Sequence, residues 1–213
     1  MYTPPHFRED RPEVLADLIR QTGAATFVTH TAEGYQATHA PVVLREHGTA
    51  WTLECHMSRA NPHWRAVAGA PLPTLAIFQG PEAYVSPSLY ATKREGGKVV
   101  PTWAYVAVHV EGVLEAMDDG DFLRRHLEAL TLANERDRAE PWAVSDAPAD
   151  YVAGLMRGIV ALRLTVTKIE GKRKLNQHKP DADRQGVIEG LATGNARDRA
   201  VADLMRGAEA ERK

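Results

Sequence analysis

Alternation of apolar and polar residues runs through most of the chain, and this two-residue period predicts half-buried β-strands. Turn residues follow two of the alternating stretches, at Glu33 and Gly34 and again at His47 and Gly48, as in a meander. Six or seven such strands predict a mainly antiparallel small barrel, because closing the sheet removes its exposed edges. The predicted strands cover residues 24–30, 35–44, 49–56, 73–79, a stretch around Tyr84, 103–117 and 158–169.

Helical periodicity is found near both ends of the chain and in one insertion between strands. Asp10 and Gly23 are typical of the first and last positions of a helix, and Gly194 divides the final helical region in two. We therefore predict an α+β protein in which residues 1–170 form the barrel domain, and residues 171–213 form a basic tail and C-terminal helices. The predicted helices cover residues 10–23, 61–68, a helical insertion at about 118–157 and 181–207.

Composition excludes several classes of protein. Of 213 residues, 44% are hydrophobic, which is enough for a core, and 26 basic against 28 acidic residues leave a net charge of −2. No long-range field therefore draws the whole molecule to nucleic acid or to an anionic membrane. The single cysteine, Cys55, permits no internal disulfide, and we find no export signal and no run of about 18 apolar residues. We expect a cytoplasmic protein.

Residues 78–105 carry more aromatic, hydroxyl and lysine side chains than a core would need. Aromatic faces can sandwich a planar ring, hydroxyls can bind its polar edge, and lysines can neutralise a phosphate. This mixture predicts a site for a planar, anionic cofactor, with Lys98, Thr102 and Trp103 among the residues that contact it. An irregular, solvated hairpin would have the same composition.

The segment HMSRAN at 56–61 ends where a short helix is predicted to begin. Free backbone amides at a helix start attract anions, so Ser58, Arg59 and Asn61 are predicted to bind a phosphate group. In the alternative interpretation, Asn61 only caps the helix and Arg59 is solvated.

Two histidines and a proline in the predicted strands are candidates for contact with the cofactor ring: His39, Pro41 and His56. Pro41 lacks a backbone donor, which favours a ligand rather than another strand alongside it. Both histidines would fit equally well as hydrogen-bonded core residues. A metal site is not predicted, because the nine histidines show no HxH, HExxH or CxxC spacing.

Seven segments between residue 1 and about residue 192 match one known family in the same order. They are MYTPPHF, ATHAP at 37–41, HMSRANPHW at 56–64, FQGPEAYVSPSLY at 78–90, VVPTWAYVAVH at 99–109, EPWAVSDAP at 140–148 and KLNQH at 174–178. Together they resemble the PaiB family of FMN-binding negative transcriptional regulators. The resemblance implies an antiparallel FMN-binding split barrel that forms a homodimer and holds FMN at the subunit interface. The chain departs from the family pattern at Leu89, Ala104, Asn176 and His178, where Trp, Asn, Ser and Asn are common.

With FMN as the implied cofactor, the segment GKRKLNQHK after the last predicted strand becomes a candidate for its polar edge. Among Lys172, Arg173 and Lys174, a cation near the ring could stabilise the negative charge of its reduced form, and Lys174 is the predicted contact. Asn176 and Gln177 could hydrogen-bond to the ring edge. A solvated basic turn is the alternative interpretation.

Function beyond FMN binding divides into three hypotheses. The family implies a transcriptional regulator that binds DNA, although the sequence shows neither a helix-turn-helix pattern nor a basic stripe. The alternatives are an FMN-dependent oxidoreductase similar to flavin reductases, and a haem-binding or haem-degrading protein. No catalytic acid or base is assigned, and Tyr105 and His109 are the only candidates.

Overall fold

The computed structural model describes residues 1–211. This part of the chain contains eight β-strands and seven α-helices. The strands are β1 (Arg8–Glu9), β2 (Ala24–Thr31), β3 (Gly34–Pro41), β4 (Val43–His47), β5 (Ala50–Ser58), β6 (Leu72–Val85), β7 (Thr102–Met117) and β8 (Ile159–Lys174). The helices are α1 (Pro12–Thr22), α2 (His63–Ala68), α3 (Lys93–Gly96), α4 (Gly120–Glu135), α5 (Ala149–Met156), α6 (Asp181–Ala192) and α7 (Ala196–Ala210). Within residues 1–211, no helix is long and apolar enough to span a membrane.

All eight strands belong to one sheet, in the order β3-β2-β6-β7-β8-β5-β4, with β1 paired to β8. The defined strand pairs are antiparallel, with Phe27 opposite Ala76 and Cys55 opposite Leu162 as examples. β3 also packs against β5, so the sheet curls back on itself as a barrel does. These features confirm the predicted antiparallel split barrel with helical additions.

The chain divides into two compact units. Unit 1 comprises Met1–Leu15, Gln79–Val108 and the described residues from Glu170 onward, and unit 2 comprises Ala16–Phe78 and His109–Ile169. The long strands β6, β7 and β8 each contribute one end to each unit. The division of the sequence at residue 170 into barrel and tail stays a prediction.

Alternate residues of β2, β5 and β8 fill the core of unit 2. Phe27, Leu53, Cys55 and Leu162 have no exposed surface. Burial of one large apolar side chain contributes roughly 1.5–3 kcal/mol, so these positions account for much of the stability of the barrel. Burial also raises the pKa of the Cys55 thiol to about 12, which makes this cysteine a packing residue rather than a nucleophile.

Three of the predicted strands were wrong in extent. The predicted strand 35–44 divides at Val42, whose amide donates to the Gly23 carbonyl at 2.9 Å instead of to a neighbouring strand. The predicted strands on either side of Gly80 are one continuous strand, β6. A Cβ at Gly80 would overlap the side chain of Val106, so this glycine permits a close approach of two strands rather than a turn.

The last strand is longer than the alternation pattern predicts, and this difference matters for the site. β8 continues to Lys174, because β1 pairs with its end through Arg8 opposite Lys172 and Glu9 opposite Gly171. The basic residues that the sequence placed in a tail therefore lie on a strand, where their side chains alternate between its two faces.

Candidate functional site

The end of β8 in unit 1 places two lysines on one face of the strand. Lys172 and Lys174 are two positions apart and share a face, whereas Arg173 takes the other. The Lys174 ammonium donates a hydrogen bond to Thr102 Oγ1 at 2.8 Å, and the Lys172 ammonium donates to the Tyr2 carbonyl at 3.1 Å. We call Lys172 and Lys174 the lysine pair.

Both ammonium groups of the lysine pair lie close to the ring of Tyr105, at 5.2 Å and 5.8 Å from its centroid. Among residues 1–211, neither lysine forms an ion pair with a carboxylate, although only 8% of Lys172 is exposed. A buried cation without a counter-ion is unfavourable, and the π face of Tyr105 compensates it only in part. The lysine pair is therefore suited to an anionic ligand.

Arg173, on the opposite face of β8, belongs to a network of alternating charges. Its guanidinium lies 3.1 Å from the Glu9 carboxylate and 2.9 Å from that of Glu211. Arg11 contacts the same two carboxylates at 2.6 Å and 2.7 Å. Burial acts to raise the pKa of Glu9, but hydrogen bonds from Arg11 and Arg173 outweigh it and hold this pKa at about 2. Arg173 is thus neutralised within the fold, and the lysine pair is not.

Two aromatic side chains lie exposed at the start of β7 and the end of β6. Trp103 packs edge-on against Tyr84, with ring centroids 5.9 Å apart, and 52% and 49% of the two residues are exposed. Exposed rings of this size offer a surface on which a planar ring or a second subunit can stack. Lys98 lies on the exposed loop that leads into β7.

Directly after β8 the chain turns at Asn176, whose φ of 62° is left-handed and is tolerated better by asparagine than by most residues. Gln177 holds this turn, because its side chain accepts from the Leu175 amide at 2.8 Å and donates to the Arg173 carbonyl. The Asn176 side chain is fully buried, and its nitrogen and oxygen have no hydrogen-bond partner among residues 1–211. Such unmatched buried groups are rare in folded proteins.

Helix α6 anchors the loop that follows β6. The Asp183 carboxylate accepts from the Thr92 amide at 2.9 Å and from its hydroxyl at 2.8 Å. Leu89 fits against Gly186 and Gly190 of α6, where a Cβ on either glycine would overlap it. The Thr92 hydroxyl is therefore hydrogen-bonded within the protein. The two glycines of α6 leave space for Leu89, the residue that stands where the family commonly has tryptophan.

The loop before α2, in unit 2, does not present the free backbone amides that an anion site would use. The amides of residues 59, 60 and 61 all donate to protein oxygens, two of them on Ser58. An anion bound here would depend on side chains, chiefly the Arg59 guanidinium, which lies 5.6 Å from the centroid of the Trp64 ring.

Asn61 begins a hydrogen-bonded relay that ends in the core of unit 2. Its side chain donates to Thr38 Oγ1 at 3.0 Å, and this hydroxyl bonds His63 Nδ1 at 2.9 Å. His63 Nε2 bonds Thr29 Oγ1 at 2.8 Å, and Thr29 bonds Thr74 at 2.6 Å. Because Thr74 donates in turn to a main-chain carbonyl, the relay is complete when His63 is neutral with its hydrogen on Nε2. Burial lowers the pKa of His63, which agrees with a neutral ring.

The three remaining candidates lie on β3 and β5. His39 and Pro41 are exposed near the end of β3, and His39 Nδ1 lies 2.8 Å from Thr26 Oγ1. His56 lies on β5, with its Nδ1 3.0 Å from Nε2 of His126 on α4.

The predicted cofactor residues fall into two groups. Lys98, Thr102, Trp103, Lys174, Asn176 and Gln177 belong to unit 1, and His39, Pro41, His56, Ser58, Arg59 and Asn61 belong to unit 2. Within unit 1 the structure brings Lys174 directly onto Thr102. Sequence reasoning considered Lys172, Arg173 and Lys174 as cations near the flavin but named only Lys174 as a contact, although strand alternation would have grouped Lys172 with Lys174. It also missed His63 and His126, for which the sequence carries no local signal.

An antiparallel split barrel whose lysine pair has no carboxylate partner among residues 1–211 defines a candidate split-barrel protein for an anionic cofactor. A family model described as "Putative FMN-binding domain" matches residues 1–168, and the chain belongs to this family. The chain is 29% identical over 206 residues to "Protease synthase and sporulation protein PAI 2" of Bacillus subtilis, with 96% of each chain covered. It is 30% identical over 242 residues to an uncharacterised protein of Emericella nidulans, covering 97% of this chain and 96% of the relative. These matches confirm the resemblance to PaiB and FMN as the cofactor.

Solved structures support the fold. The FAD and haem binding protein from Mycobacterium smegmatis superposes with a TM-score of 0.58 at 21% identity, covering 88% of this chain and 80% of that chain. The conserved hypothetical protein Rv2991 from Mycobacterium tuberculosis superposes with a TM-score of 0.60 at 12% identity, covering 84% and 94%. At these identities the likeness establishes the split barrel and nothing more.

Proposed function

We propose that the lysine pair of unit 1 holds the phosphate of FMN, and that the protein works through this bound flavin. The observation that carries the proposal is the presence of two ammonium groups beside Tyr105 without a carboxylate partner among residues 1–211. The cations of this donor set fit FMN, because they match a phosphate. Asn176 stays a predicted contact of the ring edge, and because its side chain has no exposed surface, that contact would need a local rearrangement. Trp103 offers an exposed ring face. When bound, FMN supplies the capacity for hydride or electron transfer, and these residues bind and orient it.

Titration with FMN and with riboflavin, followed by calorimetry and flavin fluorescence, tests this site. We expect FMN to bind at least about tenfold more tightly, because riboflavin lacks the phosphate that a charge-assisted hydrogen bond would recognise. Equal affinity for the two flavins would show that the lysine pair does not hold the phosphate. Failure of both to bind would refute the proposal as a whole.

Lys98 and Gln177 of unit 1 are proposed to support the same site, from the loop before β7 and through the turn after β8. The predicted residues of unit 2 stay predicted contacts of FMN, and the paired backbone amides around Ser58 favour side chains over main chain there. We also propose a homodimer, supported by the half-exposed Trp103 and Tyr84 rings, which a subunit interface would cover. Sedimentation of the protein as a single chain at micromolar concentration would refute the dimer.

We further propose a regulatory role, in which the state of the bound FMN controls gene expression, and a cytoplasmic location. The name of the similar Bacillus PAI 2 protein refers to protease synthesis and sporulation, which is the support for a regulatory role. With a net charge of −2, DNA binding would have to come from a local surface. A mobility shift that weakens steeply with salt would support direct DNA binding, and no shift at low salt would exclude it.

A further inference from the structure

Four polar side chains of unit 2 lie in a row from β4 to the face of β5, and we call this row the chain. The Arg45 guanidinium donates to the Glu54 carboxylate at 3.1 Å. The same carboxylate oxygen lies 3.8 Å from Nδ1 of His126, and Nε2 of His126 lies 3.0 Å from Nδ1 of His56. No local pattern predicts this chain, because His56 and His126 are 70 positions apart.

The secondary structure explains why these residues meet. Glu54 and His56 are two positions apart on β5 and share the face opposite the buried Leu53, Cys55 and Met57. Helix α4 packs on β4 and β5, and places the fully buried His126 on them, one turn after the buried Leu123.

The hydrogen atoms along this chain follow from the charge of Glu54. Burial acts to raise the pKa of Glu54, but His126 and Arg45 outweigh it and lower this pKa, so the group is a carboxylate. At 3.8 Å the Glu54 carboxylate is too far from Nδ1 of His126 for a hydrogen bond, and this buried nitrogen has no hydrogen-bond partner among residues 1–211. A hydrogen on Nδ1 is attracted to the nearby carboxylate, whereas a lone pair there would be repelled, so the neutral ring carries its hydrogen on Nδ1. Nε2 of His126 is then an acceptor, and the bond of 3.0 Å requires the hydrogen of His56 to lie on Nδ1.

Nε2 of His56 consequently carries no hydrogen and can accept a hydrogen bond. Within residues 1–211, Nε2 of His56 forms no hydrogen bond, and it is not among the buried unmatched atoms. A further charge on the sheet is Arg163, opposite Glu54 in β8, and its guanidinium is neutralised by Glu115 of β7 at 2.8 Å. The tautomer of His56 is therefore set by Arg45, Glu54 and His126.

We propose that this chain fixes His56 as a hydrogen-bond acceptor for a neutral O–H or N–H group of the ligand, with Arg45, Glu54 and His126 as positioning residues. Carboxylate–histidine pairs fix ring tautomers in this way at metal and catalytic sites. FMN offers such donors in its ribityl hydroxyls and its ring imide, and the same groups occur in riboflavin. This ligand assignment depends on the proposed FMN function, whereas the tautomer assignment does not.

Nitrogen-15 NMR of the histidine rings in the ligand-free protein tests the tautomer. At pH 8, above the usual range of histidine titration, we expect hydrogens on Nδ1 of both His56 and His126. In the double variant Arg45→Leu with Glu54→Leu, the carboxylate is absent and we expect this preference to be lost. Hydrogens on Nε2 of both rings in the unmodified protein would overturn the inference.

Three substitutions of His56 test its role toward the ligand. The glutamine of His56→Gln can place a carbonyl near the position of Nε2, whereas the amide of His56→Asn reaches only the position of Nδ1. We expect His56→Asn and His56→Leu to weaken FMN binding about tenfold, the value of one hydrogen bond, and His56→Gln to retain most of the affinity. Riboflavin should show the same order, because the contact does not involve the phosphate.

The outcomes separate the two proposals. If FMN binds and all three His56 variants keep full affinity, the ligand contact at His56 is refuted while the FMN site stands. If neither flavin binds the unmodified protein, the proposed FMN site and the ligand assignment of His56 both fail, and the NMR result alone decides the tautomer.

Discussion

Replacement of Lys172 by methionine is expected to weaken FMN binding by about 10- to 100-fold, as loss of a charge-assisted hydrogen bond of about 1.5–3 kcal/mol implies. Methionine keeps the length and the apolar stem of the side chain but removes the ammonium group that lies over Tyr105. The measurement is the dissociation constant of FMN, by calorimetry or fluorescence. Riboflavin affinity should change little, because riboflavin lacks the phosphate.

The same variant should unfold at an unchanged or higher temperature. Lys172 is 8% exposed and has no carboxylate partner among residues 1–211, so its charge destabilises the ligand-free fold. A gain in stability together with a loss of ligand affinity is typical of a binding residue rather than a packing residue. Lys168→Met, on the exposed part of the same strand, is the matched control and should change neither property. If Lys172→Met binds FMN with unchanged affinity, the lysine pair is not part of the cofactor site.

Replacement of Glu9 by alanine is expected to lower the free energy of unfolding by about 3 kcal/mol at pH 7. The variant leaves the buried Arg173 with Glu211 alone, and Arg11 loses its bidentate partner. The magnitude follows from a pKa that falls from 4.5 to about 2 on folding, at about 1.4 kcal/mol for each pKa unit. Urea denaturation of both proteins measures the difference.

The contribution of Glu9 to the free energy of unfolding should decrease as the pH falls. Because folding lowers the pKa of Glu9, its stabilisation is complete above about pH 5 and is lost as the pH falls toward 2. The stability curves of the unmodified protein and Glu9→Ala should therefore converge in acid. Asp10→Ala, at the neighbouring exposed carboxylate, should follow the unmodified protein at every pH. Parallel curves down to pH 2 would show that the network does not lower the pKa of Glu9.

Much of the barrel could be predicted from the sequence, because two-residue alternation reports which face of a strand is buried. The apolar positions Val106, Val108, Val110 and Leu114 of β7 share one parity and are all buried. Alternation does not report which strand lies alongside, however. The pairing of β1 with the end of β8 joins residues more than 160 positions apart, and it turned a predicted basic tail into a strand.

The candidate site was predictable to the extent that its chemistry is local. Lys174 and Thr102 were identified from the residue types around them, and the structure joins them at 2.8 Å. Arg173 and Lys172 could not be told apart by composition, since both are basic. Only the carboxylates of Glu9 and Glu211 on one face of β8, and their absence from the other face, make one residue structural and the other available.

The sequence by itself determined the family, the cofactor and the antiparallel barrel, because these depend on the order of residues and on the period of their hydrophobicity. The tertiary structure alone decided which polar groups are satisfied. His126 meets His56, and the backbone amides of the loop before α2 donate to oxygens of the protein. The Asn176 side chain finds no hydrogen-bond partner among residues 1–211. Hydrogen bonding and charge compensation depend on distances of about 3 Å between residues far apart in the chain, and no local pattern encodes them.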